Sequence, residues 1–502
     1  MAQREKIIKV PPEAAGIKLS DYLISQGYIP AMDCGGIGTC GKCRVKLLSG
    51  SFDGTVPDET GMVRSCRAVC SAQGADISLP ERFSKKNVIK ISSEGSVCSD
   101  NSQYGLALDV GTTTIAAALV FLKESTVVAT DSRLNPQRVF GADVMSRIAV
   151  ADDGKLSVLQ SVVLECVSDI INSLLRQVGA TFLKAITVVG NPTMLHLFCG
   201  ISPSDMGQYP FTPVFTEAKC FSGEELSLPA ETVYILPSAD AFIGSDVTAG
   251  VLKTQMYKHT EPSILMDIGT NGEMVLCSAD PGKNMLAVST AAGPAFEGAG
   301  ISCGIGGVQG AISQVKIKNG QLRYKTVGNC SPVGICGSGL IDLIAQLRQI
   351  SVIDETGYME EPFLIAETAY GTPLFLTPED VREFQMAKSA IRAGFETLLF
   401  ESGLSVKDIK NIYLAGGLGV YMNPENAADI GLIPPDLGDK VTAVGNSALD
   451  GAVLCLSDAE QRTELERIAV DCRIVELSVS EVFQNAFMEN MLFPCDAEEK
   501  LK

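Results

Sequence analysis

The 502-residue chain has no tryptophan and only two histidines, His196 and His259. A zinc site built from imidazoles is thereby excluded, and a Ser-His-Asp centre would have to rest on one of those two residues. Positive charge is also scarce: 40 Lys and Arg face 59 Asp and Glu, for a net charge of −19. Neutralising nucleic-acid phosphates needs basic surfaces, so nucleic acid is not an expected partner. No apolar run approaches the ~20 residues of a membrane span. The opening MAQREKIIKVPPE lacks the apolar stretch and cleavage site of a secretory signal. These absences predict a cytoplasmic chain with no membrane partner. Apolar residues make up 46% of the chain, and there are sixteen cysteines. The apolar content can bury real cores in a chain of roughly two to four domains. In a reducing compartment, the cysteines read as metal ligands and buried thiols rather than disulfides.

Charge and composition divide the chain. Residues 1–90 carry a net charge of +4, which leaves −23 for the rest. SKKNVIKISSEGSVCSD, residues 84–100, reads as a polar connector. The expected domains are therefore a small module at 1–88, a linker at 89–103, and two α/β units at 104–258 and 259–502. In the first module a short strand, a helix over 19–27 and later strands surround a Gly/Cys loop, which predicts α+β. A swinging motion of this module on the linker is expected. Beyond Tyr104 the chain echoes itself: LALDVGTTT (106–114) and ILMDIGTNG (264–272) share an apolar run, an Asp, a Gly and a Thr in register. ITVVGNPTMLHLF (186–198) and IYLAGGLGVYMNP (412–424) form a looser pair. Two related halves, each ending a strand in a phosphate-sized turn, predict duplicated α/β domains facing one cleft.

Cys34, Cys40 and Cys43 stand at C-x5-C-x2-C in DCGGIGTCGKC, and Cys66 follows in VRSCRAVC. Four thiolates suit tetrahedral iron or zinc. The intervening glycines suit a loop that aims backbone N–H groups at cluster sulfides. The spacing resembles that of [2Fe–2S] ferredoxins of the adrenodoxin kind, which implies a β-grasp module. Zinc stays an alternative, and Cys70 competes with Cys66 as fourth ligand. The other eleven cysteines show no ligand spacing and are expected to be core thiols.

In DVGTTT and DIGTNGE a strand ends in Asp and a Gly turn exposes consecutive N–H groups, with Thr hydroxyls as further donors. Such a turn is an anion nest, and the Asp can hold Mg²⁺ through water. With LAGGLG (414–419), the set resembles the ASKHA superfamily of sugar kinases, Hsp70 and actin. That resemblance assigns Asp109, Gly111, Thr112, Thr113 and Thr114 to one phosphate loop. Asp267, Gly269, Thr270, Asn271 and Gly272 form the other, with Gly416 and Gly417 against adenosine. Asp109 and Asp267 are the candidate catalytic residues. STAAGPAFEGAGISCGIGG (289–307) is either cleft lining, with Glu297 inside, or a tightly turned structural loop. Gly337 and Gly339 are expected to let a helix pack closely. Asp143 and Arg147, at i and i+4, are expected to pair on a helix surface, and His196 to be a packed residue.

Taken together, the chain resembles the reductive activators of corrinoid-dependent enzymes. The blocks that carry this are DCGGIGTCGKC, LALDVGTTTIAAAL, NPQRVFGADVMSRI, GNPTMLHLF, MDIGTNGE, AAGPAFEGAGI, GICGSGLID, LAGGLG and GNSALDGA. The resemblance implies an enzyme that passes one electron from a [2Fe–2S] cluster to a Co(II) corrinoid protein, with ATP and Mg²⁺ in the cleft. It also implies a low-potential electron donor and a homodimer. Three alternatives are a small-molecule kinase fused to a ferredoxin, an activator of the 2-hydroxyacyl-CoA dehydratase kind, which pairs ASKHA with Fe–S but has no N-terminal ferredoxin module, and a non-catalytic, ATP-gated redox or assembly factor.

Overall fold

A computed structural model describes residues 6–25, 28–29, 43–58, 60–79, 84–85, 103–278, 285–318, 320–369 and 371–494. Cys34 and Cys40, and nearly all of the expected linker, lie outside the described residues.

The N-terminal part contains β1 (Lys6–Val10), α1 (Leu19–Ser25), β2 (Tyr28–Ile29), β3 (Arg44–Asp53), β4 (Met62–Arg64), β5 (Val69–Leu79) and β6 (Ser84–Lys85). Its main sheet has the order β1-β5-β3-β4, and β2 pairs with β6. All of these pairs are antiparallel. Leu19 and Leu23, one helical turn apart, bring α1 onto Val10, Val45, Ile77 and Leu79. The module is α+β, as expected.

The first large unit runs β7 (Tyr104–Val110), β8 (Thr114–Phe121), β9 (Thr126–Leu134), α2 (Val144–Val150), α3 (Leu156–Val178), β10 (Leu183–Gly190), α4 (Pro192–Cys199), β11 (Lys219–Ser222), β12 (Ala230–Ile235) and α5 (Ser245–Thr254). The second unit opens with β13 (Ser263–Ile268), β14 (Gly272–Cys277) and β15 (Met285–Thr290). It continues through β16 (Ala311–Lys318), β17 (Gln321–Thr326), β18 (Gly334–Ile335), α6 (Gly337–Gln349), β19 (Phe363–Glu367), β20 (Pro373–Leu376) and α7 (Pro378–Ser402). It closes with β21 (Asn411–Ala415), α8 (Gly416–Tyr421), α9 (Pro424–Asp429), β22 (Val441–Gly445), α10 (Ser447–Ser457), α11 (Ala459–Asp471), β23 (Cys472–Ile474) and α12 (Glu481–Glu489).

The sequence echo extends to whole sheets. Their orders are β11-β12-β10-β7-β8-β9 and β22-β21-β13-β14-β15-β23. In each, two parallel strands flank one side of a central strand (β7 or β13), and an antiparallel meander flanks the other. The two Asp-Gly-Thr motifs are the equivalent β7–β8 and β13–β14 hairpins.

Strand alternation then fixes where the acids point. Leu106, Leu108 and Val110 enter the core under α3, whereas Ala107 enters a second core shared by both halves. On β13, Ile264, Met266 and Ile268 enter the distal core, whereas Leu265 enters the shared one. Asp109 and Asp267, each two residues further on, therefore lie on the side of the shared core. Helices α5 and α10 build that core. Although α10 comes late in the chain, it packs on β7 and β10, and Thr187 Oγ1 donates to Ala452 O at 2.9 Å. The two helices meet at Gly451, where a Cβ would approach Ala249 O to 2.3 Å.

One helical run, Val144–Val178, is long and apolar enough to cross a membrane by length and composition alone, although charged residues punctuate it and leave no continuous apolar stretch of ~20 residues. Gly154 interrupts it at φ 79°. Leu159, Val163, Val167, Ile170, Ile171, Leu174 and Leu175 form one buried stripe facing the first sheet.

Candidate functional site

Among the expected cluster ligands, Cys43 begins the turn into β3 and Cys66 lies between β4 and β5. Their sulfurs are 3.2 Å apart, and both residues are buried. That separation exceeds the ~2.05 Å of a disulfide bond. It is closer to the edge of a thiolate tetrahedron, about 3.8 Å for a metal–sulfur bond near 2.3 Å. Cys70 lies on β5, fully buried among Leu19, Leu23, Phe52 and Ile77 in the hydrophobic core. Of the remaining cysteines, Cys277, Cys336, Cys455 and Cys472 are buried core thiols, but Cys220 is exposed, contrary to expectation.

The turns after β7 and β13 face each other across a carboxylate. Glu297 accepts from Thr270 Oγ1 at 2.7 Å and from Thr113 Oγ1 at 3.2 Å, so one side chain joins the two turns. The loop 289–307 therefore does line the cleft. Gly111 N–H donates to Thr114 O, and Gly269 N–H to Asn271 O, each at 2.9 Å. Gly416 (φ +78°) begins α8 so close to Asp267 that a Cβ would stand 2.9 Å from its carboxylate, while Gly417 borders open space. Gly272, by contrast, is buried beneath α7, where a Cβ would collide with Ile391. Thr114 is exposed at the start of β8.

Three asparagines that the motifs did not single out hold this arrangement. Each caps a helix with its side-chain oxygen, which leaves the amide free to donate elsewhere. Asn446 accepts from Leu449 N–H at the start of α10 and donates to Asp109 Oδ2 at 2.8 Å. Asn191 caps α4 through Met194 N–H and donates to Thr112 Oγ1 at 2.9 Å. Asn135 caps a short turn through Gln137 N–H and donates to Gly111 O at 2.9 Å. Aspartate could cap in the same way but has no amide to give. The signal was present in the blocks GNSALDGA, GNPTM and NPQ, where Asn precedes a helix start.

Asp246 and Glu273 also join the site unannounced. Asp246 lies in the first turn of α5, and Glu273 is the cross-strand partner of Asp267. Burial pushes Asp109 up to about 7; the Asn446 amide opposes the rise and Asp267 adds to it. Burial, then repulsion from Asp109 and Asp267, pushes Asp246 up to about 7. Asp267 rises to about 6 through burial and Glu297. Glu273 is raised well above the carboxylate range by burial and by Asp246 and Asp267. None of the ion pairs among the described residues involves these carboxylates. A concentration of repelling carboxylates with no cationic partner suits a bound cation. Among the described residues no three potential ligands converge closely enough to hold a metal directly. Mg²⁺, which keeps several of its waters, fits such a setting better than a fully protein-ligated ion.

His196 is packed, as expected: it stacks on Phe215, accepts from Val214 N–H at Nε2 and therefore donates from Nδ1 to Pro192 O. Gly337 and Gly339 pack against the Phe296 and Ile312 carbonyls, which a Cβ would overlap. The Asp143–Arg147 surface pair is corrected. Asp143 caps α2 in a capping box, and Arg147 is wholly buried behind the first turn. The i, i+4 spacing is the same whether the arginine faces in or out.

Duplicated sheets, paired Asp-Gly-Thr turns and an acid-lined cleft define an ASKHA-type protein, here preceded by a thiol-bearing α+β module. Comparison with known proteins specifies the family. A profile described as the C-terminal domain of RACo, the ASKHA domain, matches residues 261–502, and a RACo middle-region profile matches 104–259. The corrinoid activation enzyme RamQ of Eubacterium limosum is 32% identical over 421 residues, covering 78% of this chain and 70% of that one. The Co(II) methylated amine-specific corrinoid protein reductase of Methanosarcina barkeri is 27% identical over 429 residues, 77% and 76% of the two chains. A solved structure, a reductive activator for corrinoid, iron–sulfur protein, matches with a TM-score of 0.73 and 28% identity, covering 97% and 96%. The chain belongs to the RACo family of corrinoid reductive activators.

Proposed function

We propose that the protein is an ATP-dependent reductive activator that returns a corrinoid protein from Co(II) to Co(I) by delivering one electron. The observation that carries this reading is the meeting of both Asp-Gly-Thr turns on Glu297, beside Asp109 and Asp267. Such a site can sense a polyphosphate from both halves of the molecule at once.

The chain's own residues supply the binding and positioning. The N–H groups and hydroxyls of Gly111–Thr114 and Gly269–Asn271 receive phosphate oxygens, and Gly416–Gly417 leave room for the nucleoside. Gly272 shapes the second turn from beneath. Asp109 and Asp267 organise Mg²⁺ and water, and Mg²⁺ supplies charge neutralisation on the phosphates. In the N-terminal module Cys34, Cys40, Cys43 and Cys66 hold a [2Fe–2S] cluster, which supplies one-electron transfer at low potential. The Cys43–Cys66 contact favours Cys66 over Cys70 as the fourth ligand. Clusters of the plant type lie near about −400 mV, and each 100 mV uphill costs ~2.3 kcal/mol per electron. Nucleotide can drive such a transfer only if the corrinoid protein binds the two cleft states unequally. The three units, 1–88, 104–258 and 259–502, would then divide the work into electron carriage and a two-sided cleft. We further propose a cytoplasmic homodimer served by a low-potential donor.

The test is an anaerobic spectrum of a Co(II) corrinoid protein with this protein and a reductant, with and without ATP. Co(I) absorption that appears only with ATP is expected; equal reduction without ATP would reject the reading. Cys66→Ser should lose iron and visible absorption, whereas Cys70→Ser should keep the iron and lose about 1 kcal/mol of stability. The reverse pattern would exchange their roles.

A further inference from the structure

We infer that Arg147, together with Asn135, is a positioning residue that sets the first phosphate turn from behind and places a positive charge there for the nucleotide's phosphates. The inference rests on the nucleotide reading of the cleft. Arg147 is 0% exposed, yet no carboxylate lies within ion-pair distance of it among the described residues. Its Nε donates to Gly141 O at 3.0 Å, and its Nη1 to Gln137 Oε1 at 3.4 Å and Met194 Sδ at 3.0 Å. Its Nη2 donates to Thr112 O at 2.6 Å.

That last contact belongs to a set. Gly111 O accepts from Asn135 Nδ2, Thr112 O from Arg147, and Thr113 O from Asn135 N–H at 2.9 Å. The carbonyls of Gly111, Thr112 and Thr113 are therefore all held from one rear support by Asn135 and Arg147, with Gln137 Oε1 accepting from both. In a trans peptide the carbonyl and the following N–H point in opposite directions. Fixing the carbonyls of Gly111 and Thr112 therefore turns the N–H groups of Thr112 and Thr113 away from the support, to the side left open. The turn is an anion nest arranged before any ligand arrives, so binding need not supply the ordering.

The charge matters separately from the hydrogen bonds. A buried guanidinium with no carboxylate in direct contact is costly. Burial, with Arg138 nearby, draws Arg147 down to about 9 against the weaker opposing pull of Asp143 and Glu297, so it stays protonated at neutral pH. Neutral donors could fasten the same carbonyl at lower cost. A cation one peptide behind a phosphate turn gains its compensation when a polyphosphate binds in front. Lysine would keep the charge, but it has no planar fork to reach Gly141, Gln137 and Thr112 together.

The test uses the full chain with Mg²⁺ and compares adenosine, ADP and a non-hydrolysable ATP analogue by calorimetry. For Arg147→Met, the affinity for ADP and the analogue should fall about tenfold or more while adenosine changes less than about twofold. Arg147→Lys should fall between wild type and Arg147→Met, with the loss again confined to phosphate-bearing ligands. In turnover, the KM for ATP should rise more than kcat falls. An equal loss for adenosine and ADP, or unchanged ADP affinity, would overturn the inference in favour of simple packing. Failure of both variants to fold would do the same. A wild-type chain that binds none of the three ligands would overturn the nucleotide reading itself, and this inference with it.

Discussion

The two phosphate turns come from equivalent hairpins but are held in opposite ways. The first, Gly111–Thr113, is gripped by residues remote in sequence: Asn135, Arg147 and Asn191 reach it from the loop before α2, from α2 itself and from the start of α4. The second, Gly269–Asn271, is held within its own neighbourhood. Gly269 bonds Asn271, Thr270 bonds Glu297, and Asn271 bonds the adjacent Glu273. A duplicated motif has thus become one rigid turn and one whose contacts are mostly to titratable acids. Among the described residues only Glu297 hydrogen-bonds to both, so it is the side chain that would couple the two turns in the proposed nucleotide site.

The largest test of this contrast is at the aspartates. Asp109→Asn and Asp267→Asn should each reduce ATP turnover by about a hundredfold or more, measured as phosphate release with the corrinoid partner present. Asp109 is tied to Asn446, whereas Asp267 stands between Glu273 and Glu297. Removing one negative charge should therefore relieve repulsion mainly at Asp267, and Asp267→Asn should raise the melting temperature more than Asp109→Asn. A wild-type rate in either variant would show that the two halves do not share the chemistry.

A smaller effect is expected at the asparagines. Asn191→Asp keeps the cap on α4, so stability should stay within about 0.5 kcal/mol. It loses the donor to Thr112 and adds an anion beside the turn, so ATP affinity should fall roughly tenfold. Asn271→Ala, in the locally held turn, should change affinity no more than about twofold. Equal losses from these two variants would remove the distinction between the turns.

The same contrast explains what could be read from the sequence. Asp109, Asp267 and both turns were legible because a strand, an Asp and a Gly turn are contiguous in the chain and occur twice. The placement of both aspartates on the shared face follows from strand alternation alone. Asp246, Glu273 and Arg147 were not legible as site residues. Asp246 begins a helix far from either hairpin, and Glu273 arrives by cross-strand register with Asp267. Arg147 shared an ordinary surface-pair pattern with Asp143. Gly272 was read as part of a turn, but the collision with Ile391 that forbids a side chain there belongs to tertiary packing. At the N-terminus the polar Arg-Ser-Cys stretch pointed to Cys66 with Cys70 as rival, and the packed sheet adds that the Cys66 sulfur lies beside Cys43 whereas Cys70 lies inside the core.

The buried cations sharpen the contrast with the smallest expected effect on activity. In the first half, Arg147 stands behind the phosphate turn. In the second, Lys388 on α7 is 1% exposed and donates to Leu492 O at 2.7 Å, with its ammonium 4.9 Å above the Phe493 ring. It fastens the C-terminal segment and hydrogen-bonds to neither turn. Burial, helped by Arg392 and Arg348, lowers Lys388 to about 7, well below an unfolded lysine. Between about pH 7 and the unfolded value the unfolded chain binds the additional proton, so stability from this residue rises with pH by at most ~1.4 kcal/mol per pH unit. Below about pH 7 both states are protonated and the slope vanishes. Lys388→Met should flatten the rise in denaturation midpoint between pH 7 and 9 while leaving the KM for ATP within about twofold of wild type. Arg147→Met should do the reverse, moving KM while leaving that pH slope in place. If Lys388→Met also raised KM, the second half would be as firmly coupled to its phosphate turn as the first, and the asymmetry between the turns would be one of contacts without consequence.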